Sequence, residues 1–218
     1  MRLKAMAKIN LGLDVLGKRE DGYHEVRMIM QTIRMYDILD IRKTRRPGIV
    51  LTTNLPFIPT DQRNLVYKAA QMLMEEFDVE EGLSIKLRKF IPVAAGMAGG
   101  SSDAAAAFVG VNRMFHLGLT EEQLMERAVK VGADVPYCIM RGTALAEGIG
   151  EKLTRLPEVP KCYVLIGKPG INVSTKTAYE NLNLEGIGKH PDIDGLIGAI
   201  RNNDLYAICL LYTSPSPR

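Results

Sequence analysis

The sequence carries little of what metal or redox chemistry needs. Cys138, Cys162 and Cys209 are its three cysteines, an odd number with no CxxC spacing, which argues against a disulfide framework or a structural zinc site. His24, His116 and His190 stand far apart and form no HExxH pattern. No residue is singled out as a metal ligand. No apolar run approaches the ~20 residues that cross a bilayer, and the opening Met1-Arg2-Leu3-Lys4-Ala5 turns polar too early for a signal peptide. The net charge is only +3 and the basic residues are scattered, apart from Arg42, Lys43, Arg45 and Arg46, which read as a solvated strand end. The expectation is a reduced, cytoplasmic protein with neither a nucleic-acid nor a membrane partner. With 46% hydrophobic and 24% charged residues over 218 positions, the chain can bury a core of one large domain or two small ones.

What is present is a mixture of strand and helix patterns. Residues 2–16 alternate loosely and predict one or two strands, closed by an Asp21-Gly22 turn. Two further strands are expected over 26–33 and 38–41, separated at Tyr36-Asp37, and short ones at 49–53 and 83–89. Leu65, Ala69, Met72, Leu73 and Phe77 recur at helical spacing, which predicts a helix over 64–77. An alanine-rich helix is expected over 101–115. Thr120 with Gln123 three residues on is a capping-box signal for a helix running to about 131. Residues 143–153 read as strand–turn–strand, 162–167 as an apolar strand, and 174–182 and 193–201 as helices. There is no internal repeat.

The strongest chemical signal is Pro92-Val93-Ala94-Ala95-Gly96-Met97-Ala98-Gly99-Gly100-Ser101-Ser102, entered from a strand and left by the alanine-rich helix. Small residues let backbone N–H groups close on an anion, and glycine supplies positive φ. A helix N-terminus adds unpaired N–H donors and about half a positive charge. Ser101 or Ser102 is placed to cap that helix. No lysine follows Gly100, which excludes a Walker A loop, and there is no GxGxxG dinucleotide fingerprint.

Three more segments matter: Ala7-Lys8-Ile9-Asn10-Leu11-Gly12-Leu13, Asp21-Gly22-Tyr23-His24 and Gly132-Ala133-Asp134-Val135-Pro136-Tyr137. With the glycine loop, and in this order, they resemble the GHMP kinases. The loop resembles that family's second motif, with Met97 for the usual leucine and Asp103 for the usual alanine. The strings GGSSDAA and DGYH are similar to the branch acting on a cytidine diphosphate-linked methylerythritol. The resemblance implies an α+β fold, with an N-terminal domain like the second domain of ribosomal protein S5 and a C-terminal ferredoxin-like α/β sandwich. It implies ATP with Mg²⁺, a small-molecule alcohol substrate, and Lys8 and Asp134 as the catalytic pair. It implies that Pro92 through Ser102 hold the nucleotide, with Asn64 touching it. Asn10, Tyr23 and His24 are implied at the substrate, and so are Thr175 and Tyr179. Mg²⁺ would lean on phosphate oxygens, with Ser101 or Ser102 able to assist. Two other readings stay open: another GHMP small-molecule kinase, or a nucleotide-binding module without turnover. The chain is expected to be a monomer or a homodimer.

The resemblance covers residues 2 to about 208, and the family's third motif, a Gly-Ser-Gly-Pro-like loop, has no counterpart. The expected division is 1–157 for the ATP-binding domain and 158–208 for an incomplete second domain, with Pro157 and Pro160 at the boundary. Residues 209–218 resemble the translated frame of a sequencing adapter and are expected to be non-native. A second domain short of strands should expose apolar faces and promote aggregation.

Overall fold

A computed structural model describes residues 1–168, 170, 181–183, 186 and 190–212. By contact density the chain forms two compact units that do not follow chain order. The first comprises Met1–Ala7, Ile33–Val93 and Ala98–Met140; the second comprises Lys8–Thr32, Ala94–Met97 and the chain from Arg141 onward. The split threads two long strands, β1 (Arg2–Lys18) and β2 (His24–Thr44), which each contribute to both units. The boundary expected at Pro157 and Pro160 falls inside the second unit.

In the first unit the later stretch of β2 pairs antiparallel with β4 (Gly82–Arg88), and β4 pairs in parallel with β3 (Ile49–Thr53). Helix α1 (Leu65–Glu76) packs on β3 and on α2 (Gly99–Phe115), and α3 (Glu121–Ala128) and α4 (Val135–Met140) pack on α2 and on each other. Helix α1 buries Val66, Ala69, Ala70, Leu73 and Met74, the stripe that the i, i+3, i+4 spacing dictates. Helix α2 buries Ala104 through Phe108; its run of methyl side chains allows close packing. Thr120 and Gln123 complete the expected capping box at α3.

Asn64 caps α1. Its Oδ1 accepts from the Val66 N–H at 2.9 Å and its Nδ2 donates to the Pro59 carbonyl at 2.7 Å. Asn64→Ala should therefore lower unfolding free energy by about 1 kcal/mol, as other cap deletions do, measured by urea denaturation with an unchanged slope.

In the second unit the early stretch of β2 pairs with β5 (Thr143–Gly148), which pairs with β6 (Lys152–Leu156), all antiparallel. Two helices, α5 (Ile193–Arg201) and α6 (Leu205–Leu211), are capped by Asp192 and Asp204. Their apolar faces join Leu11, Ile29 and Leu145 in a core that includes Leu196, Ile200 and Ile208, with Leu211 packed against it.

Two expectations are corrected, and one helix had not been expected. Tyr36-Asp37 does not divide β2 into separate strands: it runs unbroken for 21 residues, because Asp37 is buried and bonded to backbone N–H groups. Residues 162–167 form no strand; Tyr163 and Leu165 are fully exposed, so apolar composition alone did not supply a pairing partner. Helix α4 carried no sequence signal, since all six of its residues are buried and a uniformly apolar stretch has no amphipathic period. The helix expected over 174–182 lies largely outside the described residues.

Candidate active site

The glycine loop adopts left-handed backbone at alternate positions: Ala94 at φ 54°, Gly96 at 67° and Ala98 at 53°. Alternation of this kind turns successive N–H groups toward one side and makes a concave anion nest. Two of the three residues are alanines, for which the left-handed region is strained by roughly 1–2 kcal/mol each. Strain of this kind is retained where the surroundings over-determine it.

Ala98 is the N-cap of α2, and no side chain caps that helix. The expected capping by Ser101 or Ser102 is therefore corrected. The helix begins two residues earlier, at Gly99, and the Ser102 hydroxyl donates instead to the Gly99 carbonyl at 3.0 Å. The consequence favours an anion: among the described residues the first-turn N–H groups have no side-chain cap, and no acidic residue lies in that turn to oppose the helix dipole. Met97, in the place of the usual leucine, is buried as that exchange requires.

Lys8 lies on β1. Its neighbours Ile9 and Leu11 face the second unit's core, so Lys8 and Asn10 project from the other face. Lys8 is only 5% exposed, which a solvated strand lysine would not be. Its Nζ donates to Asn10 Oδ1 at 3.0 Å, and its backbone N–H donates to the Met97 carbonyl at 3.2 Å. The lysine strand and the glycine loop are thus joined at these two residues.

Asp134 belongs to the first unit and leads into α4; its carbonyl accepts from the Cys138 N–H at 3.1 Å. In the Asp21-Gly22-Tyr23-His24 turn, Gly22 takes φ 84° and the Tyr23 N–H donates to Asp21 Oδ1 at 3.1 Å. Tyr23 is 58% exposed, an aromatic face open to a ligand, and His24 begins β2. Asn64, expected at the nucleotide, stands at the N-cap of α1 with its side chain bonded to Val66 and Pro59. Thr175 and Tyr179 lie outside the described residues.

One cluster escaped the sequence reading. Lys89 donates its ammonium to Asp37 Oδ2 and, at 2.6 Å, to Asp103 Oδ2. All three side chains are buried. Burial pushes the Asp103 carboxyl well above the usual carboxylate range; Lys89 pulls it down and the neighbouring Asp37 adds to the rise. A carboxyl whose folded pKa exceeds its unfolded value of about 3.9 binds a proton on folding in the interval between the two. Its contribution to stability is complete below about pH 4 and declines as pH rises toward the raised value. Asp103→Asn should flatten that component of the stability–pH curve, as read by thermal melts at a series of pH values from about 4 upward.

Known proteins resemble this chain over most of its length. Residues 64–142 match the GHMP kinases N terminal domain. The 4-diphosphocytidyl-2-C-methyl-D-erythritol kinase of Lachnospira eligens is 56% identical over 205 residues, spanning 94% of this chain and 71% of that protein. The protein of the same name from Caldicellulosiruptor bescii is 52% identical, over 95% of this chain and 73% of its own length. A crystal structure of 4-(cytidine 5'-diphospho)-2C-methyl-D-erythritol kinase superposes with a TM-score of 0.76 at 30% identity, covering 94% of this chain and 72% of that one. Homoserine kinase from Cytophaga hutchinsonii shares the fold, with a TM-score of 0.69 at 18% identity, over 95% of this chain and 71% of that one.

Proposed function

This chain belongs to the 4-diphosphocytidyl-2-C-methyl-D-erythritol kinases of the GHMP superfamily, and from that membership we propose how its residues divide the work. The reaction is ATP-dependent phosphorylation of the 2-hydroxyl of 4-diphosphocytidyl-2-C-methyl-D-erythritol in the non-mevalonate isoprenoid pathway. The loop from Pro92 to Ser102 holds the nucleotide phosphates; the observation that carries this reading is the left-handed alternation at 94, 96 and 98 opening onto an uncapped helix start. ATP fits those donors as a polyanion, and Mg²⁺ would screen the phosphate charge, with Ser101 or Ser102 as the side chains that would help hold it.

Asp134 accepts the proton of the substrate hydroxyl as its oxygen attacks the γ-phosphorus. The bond from that phosphorus to the β,γ-bridging oxygen breaks and ADP leaves. Lys8 supplies positive charge for the developing anion, and Asn10 holds the lysine amine in place. Asn10 was expected at the substrate; its hydrogen bond to Lys8 supports this orienting role. Tyr23 offers a ring to stack on cytosine and His24 an imidazole for its edge, with Thr175 and Tyr179 as further substrate contacts. Dependence on ATP supports placing the reaction in the cytoplasm.

A substrate panel with ATP tests the assignment. The cytidyl substrate should exceed homoserine and mevalonate in kcat/KM by at least ~10⁴-fold, the discrimination available to a site built for hydrogen bonds. Preference for homoserine would shift the chain to another GHMP activity. Nucleotide binding without ADP release would leave a binding module.

A further inference from the structure

Lys89, Asp37 and Asp103 form a fixed ionic trio under the first turn of α2. Lys89 is clamped by its main chain: its N–H donates to Asn54 Oδ1 at 2.7 Å, and its carbonyl accepts from Asn54 Nδ2 at 3.1 Å. Asp37 is clamped as well, with Oδ1 accepting the N–H groups of Phe90 and Ile91 and Oδ2 accepting the Lys89 ammonium. That ammonium reaches the start of α2. A Cβ on Gly99 would stand 3.1 Å from Lys89 Nζ and 3.2 Å from Ile91 Cγ2. Asp103 is four residues along, on the same helix face, and closes the trio at 2.6 Å. Asp103 therefore holds a buried cation that also packs close to the Gly99 backbone, one turn earlier.

We propose that Asp103 is a positioning residue for the nucleotide phosphates: its pairing with Lys89 and Asp37 fixes the rotation and height of the first turn of α2, whose uncapped N–H groups receive the anion. The inference rests on the nucleotide-binding reading of that loop. Around Asp103 the helix buries alanines, whose smooth contacts tolerate sliding, whereas hydrogen bonds to a clamped ammonium do not. Buried ion pairs seldom stabilise a fold more than apolar packing would, so this trio is better explained by geometry than by stability. Among the described residues Asp103 Oδ1 is buried without a hydrogen-bond partner, an exception of the kind found where a site sets a local requirement.

The test uses the full chain with Asp103→Leu, Asp103→Asn and Gly99→Ala. Its readouts are ADP–Mg²⁺ affinity by calorimetry, affinity for the cytidyl substrate, amide exchange over 98–102 and the unfolding midpoint. Asp103→Leu should weaken ADP binding about tenfold or more, with cytidyl affinity within about twofold and faster exchange at 98–102, as expected when a preorganised phosphate contact is lost. Asp103→Asn keeps the shape and an acceptor for Lys89, and should stay within about threefold of the parent. Gly99→Ala crowds Lys89 without altering charge and should shift ADP affinity the same way as Asp103→Leu. Asp103→Leu lowering the midpoint alone, with ADP affinity and exchange unchanged, would overturn the proposal, as would Asp103→Asn being equally damaging. Should Asp103→Leu not fold, unchanged ADP affinity in Gly99→Ala overturns it and weaker affinity supports it. If the parent binds no ADP, the nucleotide reading falls, while exchange at 98–102 still reports whether Asp103 fixes the turn.

Discussion

Asp134→Asn lowers kcat by about 10²- to 10⁴-fold, the range for loss of a positioned general base, and leaves both KM values within a few-fold. The barrier rises by roughly 3–5 kcal/mol, at 1.36 kcal/mol per factor of ten. The contact with Cys138 uses the Asp134 backbone carbonyl, which asparagine retains, and asparagine is as good a residue as aspartate at a helix start. Lys8→Met should depress kcat as well. The double variant should be little worse than the poorer single one, because groups acting on one transition state are not additive. Steady-state kinetics with unchanged unfolding midpoints measures all three. Full activity in Asp134→Asn would remove the base role.

Lys89→Met destabilises the chain by about 3–5 kcal/mol, the usual penalty for removing one partner of a buried ion pair. The trio is enclosed: Lys89 and Asp103 side chains are 5% and 3% exposed, and Asp37 is 0% exposed. Without the ammonium, two carboxylates face each other in a water-poor site. Asp37 keeps the N–H groups of Phe90 and Ile91, so Asp103 bears most of the loss. The double variant Lys89→Met/Asp103→Asn should consequently recover some of the stability, since the uncompensated charge is gone. Against a domain stability of about 5–15 kcal/mol, the single variant is near the limit of folding at 37 °C. Denaturant unfolding of the parent, both single variants and the double variant gives the coupling directly.

The contrast between these two variants shows what the sequence made legible. Lys8, Asp134 and the glycine loop each sit inside a short contiguous pattern. Local signals were equally readable where the physics is local: the Thr120–Gln123 pair announces the helix it caps. Helix α4 was invisible because six buried residues show no alternation of polarity. The ionic trio was invisible because it joins positions 52 and 14 residues apart, and tertiary ion pairs leave no periodic trace. Two clues were present. Asp103 is the one charged residue amid the buried alanines of α2, and Asp37 takes the inward-facing register of β2 shared by Leu39 and Ile41. A lone carboxylate inside an apolar run is expensive to bury unless it is paired, so each implied a cation elsewhere. The same logic explains the misread segment at 162–167, where apolar residues stand exposed: composition there had no neighbouring strand to act on.

The most direct test is product analysis of the full chain incubated with ATP, Mg²⁺ and 4-diphosphocytidyl-2-C-methyl-D-erythritol, followed by phosphorus NMR. The account predicts one new phosphomonoester on the 2-hydroxyl, formed in equal amount with ADP and abolished in Asp134→Asn. Release of ADP with inorganic phosphate alone, or nucleotide binding with no ADP formed, would contradict it.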